Sequence, residues 1–126
     1  MHRSRLAGFI IDCKTEDLDA AGRFWGEALG LAVRPSSDAE DKGYVTYARE
    51  PNDLNIEVQR VAHDSRVHLD IETDDLEAEA ARLQTLGAKV VSRVKSWIVM
   101  EAPTGHRFCL VRASRSKFKD EANVWE

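Results

Sequence analysis

Two stretches of the chain carry the same order of apolar and polar positions. Ile10-Ile11-Asp12-Cys13-Lys14-Thr15-Glu16-Asp17-Leu18-Asp19-Ala20 lies without a gap over His68-Leu69-Asp70-Ile71-Glu72-Thr73-Asp74-Asp75-Leu76-Glu77-Ala78. Asp12/Asp70, Thr15/Thr73, Asp17/Asp75, Leu18/Leu76 and Ala20/Ala78 are identical, and Ile11/Leu69, Glu16/Asp74 and Asp19/Glu77 are conservative pairs. A match this dense means that one unit is used twice, which sets the architecture before any single element is considered. In each copy a short apolar run (residues 9–13 and 67–71) predicts a strand. A threonine followed by acidic residues, at Thr15 and at Thr73, then marks a helix start. The hydroxyl can cap free N–H groups, and the carboxylates meet the positive end of the helix dipole.

In the first helix Leu18, Ala21, Phe24, Trp25, Ala28 and Leu29 recur at i, i+3, i+4 spacing and form one apolar stripe. Leu76, Ala80, Leu83 and Leu86 do the same in the second, with Glu77, Glu79, Arg82 and Gln84 outside. Gly30 and Gly87 suit the left-handed position that ends a helix. Strands are expected over residues 31–34, 43–48 and 54–61, and again over 89–94, 97–102 and 107–112. A proline turn precedes the last strand of each copy, Glu50-Pro51-Asn52-Asp53 and Ala102-Pro103-Thr104-Gly105. The pattern is strand, helix, three strands, written twice: eight strands and two helices. Residues 35–42 read as a polar loop, and residues 114–126 as a charged tail closing on Val124-Trp125.

Alternate side chains of a strand face opposite sides of its sheet. The helices must cover one side, and Phe9, Ile11, Cys13, Leu69, Ile71, Ile56, Val58, Phe108 and Leu110 fit it. The other side receives Ile10, Asp12, His68, Asp70, Glu57, Gln59, Cys109 and Val111, a polar set better suited to a site than to a core.

Bulk properties narrow the classes. A chain of 126 residues suits one domain with a proper core. A net charge of -4 offers no broad attraction for nucleic acid or an anionic membrane. The apolar runs are far shorter than the ~20 residues of a membrane span, and the charged start, Met1-His2-Arg3-Ser4-Arg5, lacks a following apolar segment of the kind that directs export. A cytoplasmic location is therefore expected, with Cys13 and Cys109 as reduced thiols. No glycine-rich phosphate loop, C-x-x-C pair, G-x-S-x-G elbow or H-E-x-x-H helix is present.

Phe24-Trp25-Gly26-Glu27-Ala28-Leu29-Gly30-Leu31 resembles the aromatic pair and Leu-Gly-Leu sequence that end the first helix in the glyoxalase/bleomycin-resistance/dioxygenase (vicinal oxygen chelate) superfamily. Val67-His68-Leu69-Asp70-Ile71 is similar to the start of its second module. Ala102-Pro103-Thr104-Gly105-His106-Arg107-Phe108-Cys109-Leu110-Val111 resembles its final turn and strand, with Ala102 where an Asp is usual. The ending of each module looks most like the glyoxalase-like subgroup. The resemblance spans about residues 6–112.

It implies an α+β fold of two tandem βαβββ modules, about 6–62 and 66–112, in a single domain with a C-terminal tail from 113. The modules would form a cupped eight-stranded mixed sheet with the helices on its outer face, and the chain would pair as a homodimer. It also implies four repeat-related metal-ligand positions, in the first and last strands of each module. Here they fall on Ile10, Glu57, His68 and Cys109, the last-strand positions being aligned through Pro51 and Pro103. His68 and Glu57 are candidate catalytic residues, and His68, Glu57 and Cys109 candidate ligands for a divalent Zn, Ni, Mn or Fe ion. Ile10 cannot bind an ion, so ordinary glyoxalase I activity is not expected. Besides a plain structural or regulatory ligand-binding dimer, two function classes follow. One is an enzyme (a lyase, isomerase or dioxygenase) acting on a small carbonyl or aromatic compound. The other is a binding protein that sequesters a small aromatic toxin or antibiotic without turnover.

Each candidate also has a plain structural reading. His68 would hydrogen-bond a neighbouring carboxylate, Glu57 would pair with Arg60 or Arg107, and Cys109 would be a small buried filler. Asp12 and Asp70, being repeat-equivalent, are expected to tie down the turn from strand to helix. His106 is expected as a solvated turn residue. Trp97, Tyr44 and Tyr47 either line a cleft or pack.

Overall fold

The computed structural model describes residues 1–35 and 42–126, so most of the loop expected over 35–42 lies outside the described residues. The elements run β1 (His2–Cys13), α1 (Leu18–Leu29), β2 (Val33–Arg34), β3 (Tyr44–Tyr47), β4 (Asn55–Arg60), β5 (Arg66–Thr73), α2 (Leu76–Thr85), β6 (Lys89–Val94), β7 (Trp97–Glu101), β8 (Arg107–Arg112), α3 (Phe118–Glu121) and β9 (Asn123–Trp125). Elements β1 to β4 and β5 to β8 are the two βαβββ modules, an α+β arrangement with mixed strand pairing.

Two departures from the sequence expectation have one cause. β1 starts at His2 rather than near residue 9, and the tail carries a helical turn and a ninth strand. The run His2-Arg3-Ser4-Arg5 lacks apolar periodicity and becomes a strand because β9 pairs with it antiparallel, placing His2 opposite Trp125 and Ser4 opposite Asn123. Such pairing between chain ends leaves no mark in a local window.

The chain divides into two compact units that cut across the modules. One comprises Met1–Gly8, Pro51–Leu54 and His68–Glu126; the other comprises Phe9–Glu50 and Asn55–Val67.

In the second of these, the strand order is β2-β3-β4 followed by the last residues of β1. Ile11, Tyr47 and Val58 form its buried centre, with Leu18, Ala21, Trp25, Val45 and Ile56 packed around them. α1 starts at Asp17, whose carboxylate accepts from the Ala20 N–H at 3.0 Å. Thr15 stands one step back, its hydroxyl accepting from the Asp17 N–H at 3.0 Å. The acid is thus the cap, and the threonine braces the turn before it. Midway along the helix Gly22 permits close approach to β3, since a Cβ there would meet Val45 Cγ1 at 2.7 Å. Tyr47 uses that proximity to donate its hydroxyl to the Gly22 carbonyl at 2.6 Å. Tyr47 is therefore a packing residue. Trp25 also packs inward, while Phe24 stands 61% exposed, edge-on to it at 5.1 Å.

In the other unit the order is β1-β5-β8-β7-β6, with β9 on β1. β5 and β8 are parallel, and β8, β7 and β6 are successively antiparallel. Ala80 and Leu83 of α2 close over Ile98, Met100 and Leu110, with Ile71, Leu76, Val90 and Phe108 around them. Asp75 caps α2 by accepting from the Ala78 N–H at 3.0 Å, and the Thr73 hydroxyl accepts from the Asp75 N–H. The tail is held by charge as well as by β9. Arg115 Nε donates to the buried Glu72 carboxylate, Arg5 Nη1 donates to Glu121 at 3.0 Å, and Phe118 is buried. Of the residues expected under the helices, Leu69 is instead 50% exposed, since the core beside α2 takes in Ile71 but not the residue two positions earlier.

Candidate functional site

Strand alternation places the candidate chemistry. On β5, Ile71 enters the core beside α2, so His68 and Asp70, at odd offsets from it, project to the opposite side. On β8, Phe108 and Leu110 face that core, and Cys109 between them faces away from it. The parallel register sets Asp70 opposite Cys109, and His68 lies two residues earlier on the same face. His68 Nε2 stands 3.6 Å from Asp70 Oδ1, and both side chains are 14% exposed. One ligand atom from each of His68, Asp70 and Cys109 falls within 4.8 Å of the others. Among the described residues they are the one such group of three or more His, Cys, Asp or Glu side chains.

The structure therefore brings His68 and Cys109 together and adds a residue that the repeat pointed elsewhere. Asp70 had been expected to tie down the strand-to-helix turn; Thr73 and Asp75 hold that turn, and Asp70 lies against His68. Parity alone sets Asp70 on the polar face with His68, but its equivalence to Asp12 in the repeat pointed to the turn, and the register that brings Cys109 opposite it belongs to the fold. Cys109 is half-buried and outside the core cluster, a position unlike that of a core filler. Both cysteines are free thiols.

Glu57 belongs to the other compact unit, on the face of β4 turned away from Ile56 and Val58. It pairs across strands with Thr46 and accepts from Asn55 Nδ2 at 3.2 Å. Arg34 Nε donates to Thr46 Oγ1 at 3.2 Å, which makes Arg34, Thr46 and Glu57 one polar row. A second row follows, where Gln59 Nε2 donates to Tyr44 Oη at 2.8 Å. Ile10 is 4% exposed. His106 is an exposed turn residue, its Nδ1 2.7 Å from Thr104 Oγ1. Trp97 lines a shallow cavity of about 360 Å³ with Leu76, Arg93, Lys95 and Arg112.

A nitrogen, a carboxylate oxygen and a sulfur gathered on the polar face of a sheet can hold or move a proton, or share one cation. With two βαβββ modules in one chain, the molecule falls in the class of paired-module proteins. The model of the glyoxalase-like domain family matches residues 8–111, and the chain belongs to that family, within the vicinal oxygen chelate superfamily.

Among proteins of curated function, none matches the sequence. Solved structures share the fold. A hypothetical protein from Bacillus halodurans is 12% identical with a TM-score of 0.63, over 88% of this chain and 95% of that one. A methylmalonyl-CoA epimerase from Mycobacterium tuberculosis is 17% identical with a TM-score of 0.61, over 86% and 87%. An extradiol ring-cleaving dioxygenase from B. fuscum is 17% identical with a TM-score of 0.59, over 87% of this chain and 32% of that one. Among the described residues no helix is long and apolar enough to cross a membrane.

Proposed function

We propose that the protein is an enzyme of the lyase, isomerase or dioxygenase kind acting on a small carbonyl or aromatic compound at a site centred on His68. The observation that carries this reading is the convergence of His68, Asp70 and Cys109 on the strand face turned away from the core. The epimerase and the dioxygenase that share the fold support small-molecule chemistry on this scaffold without selecting a reaction.

Each side chain has a job that its position suits. His68 takes or returns a proton at an imidazole nitrogen. Asp70, at 3.6 Å, orients the ring and compensates its charge when protonated. Two paired strands, rather than a loop, fix the spacing between the groups. Glu57 is proposed as a second acid–base residue. The divalent ion common in the superfamily fits the donors of His68, Asp70 and Cys109. When bound it would polarise a substrate oxygen and stabilise negative charge forming beside it. A homodimer belongs to the same proposal and is read from the solution mass by light scattering.

The test is a thermal-shift and turnover screen with small carbonyl and catechol compounds, with and without Ni, Zn, Mn and Fe(II). Stabilisation and turnover that disappear in His68→Ala are expected. Ligand responses identical in that variant would sink the proposal. A second reading, sequestration of an aromatic compound without turnover, is favoured by the buried apolar Ile10 at a position where the resemblance calls for a ligand. It would show stoichiometric binding of aromatic compounds, no effect of metal and no product.

A further inference from the structure

The three groups at the site differ in kind, and the difference says which ion they would hold. His68 offers a neutral nitrogen, Asp70 a carboxylate oxygen and Cys109 a sulfur, all within 4.8 Å. Zinc binds thiolate at about 2.3 Å and imidazole or carboxylate at about 2.0–2.2 Å, so neighbouring tetrahedral donors stand about 3.3–3.7 Å apart. The 3.6 Å between His68 and Asp70 already has that spacing. Cys109 lies within 4.8 Å of both, so a movement of at most about 1 Å, within the reach of a side-chain rotation at a half-buried position, brings it to that spacing.

The donors are also unlike a repeat-symmetric set. All three come from β5 and β8 and lie in one compact unit. Their counterparts in the first module are Ile10, Asp12 and, by the proline alignment, Glu57, which include neither imidazole nor thiol. Magnesium and manganese favour oxygen donors, whereas a thiolate selects zinc-like ions. Three protein donors also leave the fourth position of a tetrahedral ion to water or substrate, the pattern of catalytic rather than structural zinc.

We infer that His68, Asp70 and Cys109 form a three-donor site for a thiophilic divalent ion, zinc first, built from the second module alone. The inference rests on the reading of His68 as the centre of the site. It replaces Glu57 with Asp70 in the ligand set.

Cobalt(II), a coloured stand-in for zinc, tests this on the metal-stripped full chain. The expected result is one equivalent bound, with an intense near-ultraviolet sulfur-to-cobalt charge-transfer band and the strong visible bands of a four-coordinate ion. Zinc should displace it stoichiometrically, and magnesium or manganese should not. Cys109→Ser should abolish the charge-transfer band and lower affinity by more than the ~10–100-fold that loss of an outer-sphere partner costs. Asp70→Asn should keep the band and bind at least ~10-fold more weakly, while His106→Ala should behave as the parent. Circular dichroism confirms that each variant is folded.

Absence of cobalt uptake, a spectrum without the sulfur band, or one unchanged by Cys109→Ser would overturn the inference. Failure of the two ideas can be told apart. Ligand stabilisation lost in His68→Ala, without metal uptake, removes the zinc site and keeps the functional reading. Thiolate-bound cobalt without any small-molecule response does the reverse.

Discussion

Glu79 on α2, expected on the outer side of the helix, is instead fully buried and carries a charge network that fastens both chain ends. Its Oε1 accepts from Arg82 Nε at 2.8 Å, and its Oε2 from Arg82 Nη2 at 2.9 Å. His2 Nε2 stands 2.8 Å from Oε1. The Arg82 guanidinium lies 3.8 Å from the Trp125 ring centroid, and Trp125 Nε1 donates to Ser4 Oγ at 2.8 Å. Glutamine in place of Glu79 keeps the shape, removes the charge and turns an NH₂ toward Arg82.

Breaking a fully buried pair by removing one partner costs about 3–5 kcal/mol. Arg82 is one-quarter exposed, so water recovers part of this, and about 2–3 kcal/mol is expected for Glu79→Gln. At roughly 4 °C per kcal/mol, the melting temperature should fall by about 8–12 °C. Urea unfolding followed by circular dichroism measures the loss directly, and a cycle with Arg82→Met isolates the coupling.

The pH dependence has a definite sign. Burial pushes the Glu79 carboxyl up, but hydrogen bonds from Arg82, Ser4 and His2 together pull it further down, to below its ordinary 4.5. A lowered folded-state value stabilises above the ordinary value, and that stabilisation is lost as pH falls through the folded one. The gap between parent and variant should hold from pH 7 to 5 and shrink below about 4.5. A loss under about 0.5 kcal/mol at pH 7 would refute the argument that the buried charge fastens this corner. So would a gap undiminished near pH 3.5.

Two further substitutions probe the scaffold around the site. Leu110, next to Cys109, is 0% exposed in the core beneath α2, and Leu110→Ala should cost about 2–5 kcal/mol in urea unfolding. A cost below about 1 kcal/mol would mean that this core is not tightly packed. Gly30 and Gly87 both follow helices with positive φ, 73° and 102°, but only at Gly87 would a Cβ meet a neighbour, Pro103 Cγ at 3.1 Å. Alanine should cost about 1–2 kcal/mol at Gly30 for the left-handed backbone and more at Gly87; equal melting temperatures would contradict that ranking.

The repeat was legible because it is written in adjacent residues. Helix stripes, terminal glycines and strand alternation all act within a turn or two of chain, so their signals survive in a short window. Even the caps were nearly so, with Asp17 and Asp75 taking the role expected of Thr15 and Thr73. The tail was not, since its hold on β1 depends on Trp125 meeting His2 across most of the chain, and its hold on β5 on Arg115 meeting Glu72, 43 residues away. Parity assigned most of the buried strand residues correctly and failed at Leu69, because which stretch of a strand a helix covers depends on packing.

At the candidate site the same division applies. The sequence by itself determined two βαβββ modules, the polar face of each strand, and the asymmetry that leaves Ile10 where the other module has His68. Only the tertiary structure decided that Asp70 stands opposite Cys109 and 3.6 Å from His68. That choice belongs to the parallel register of β5 and β8, strands separated by a helix and two further strands. Alternation along one strand says which way a side chain points. Which partner it meets is set by hydrogen bonds to a distant strand, and a shift of two residues would preserve every facing while changing every neighbour.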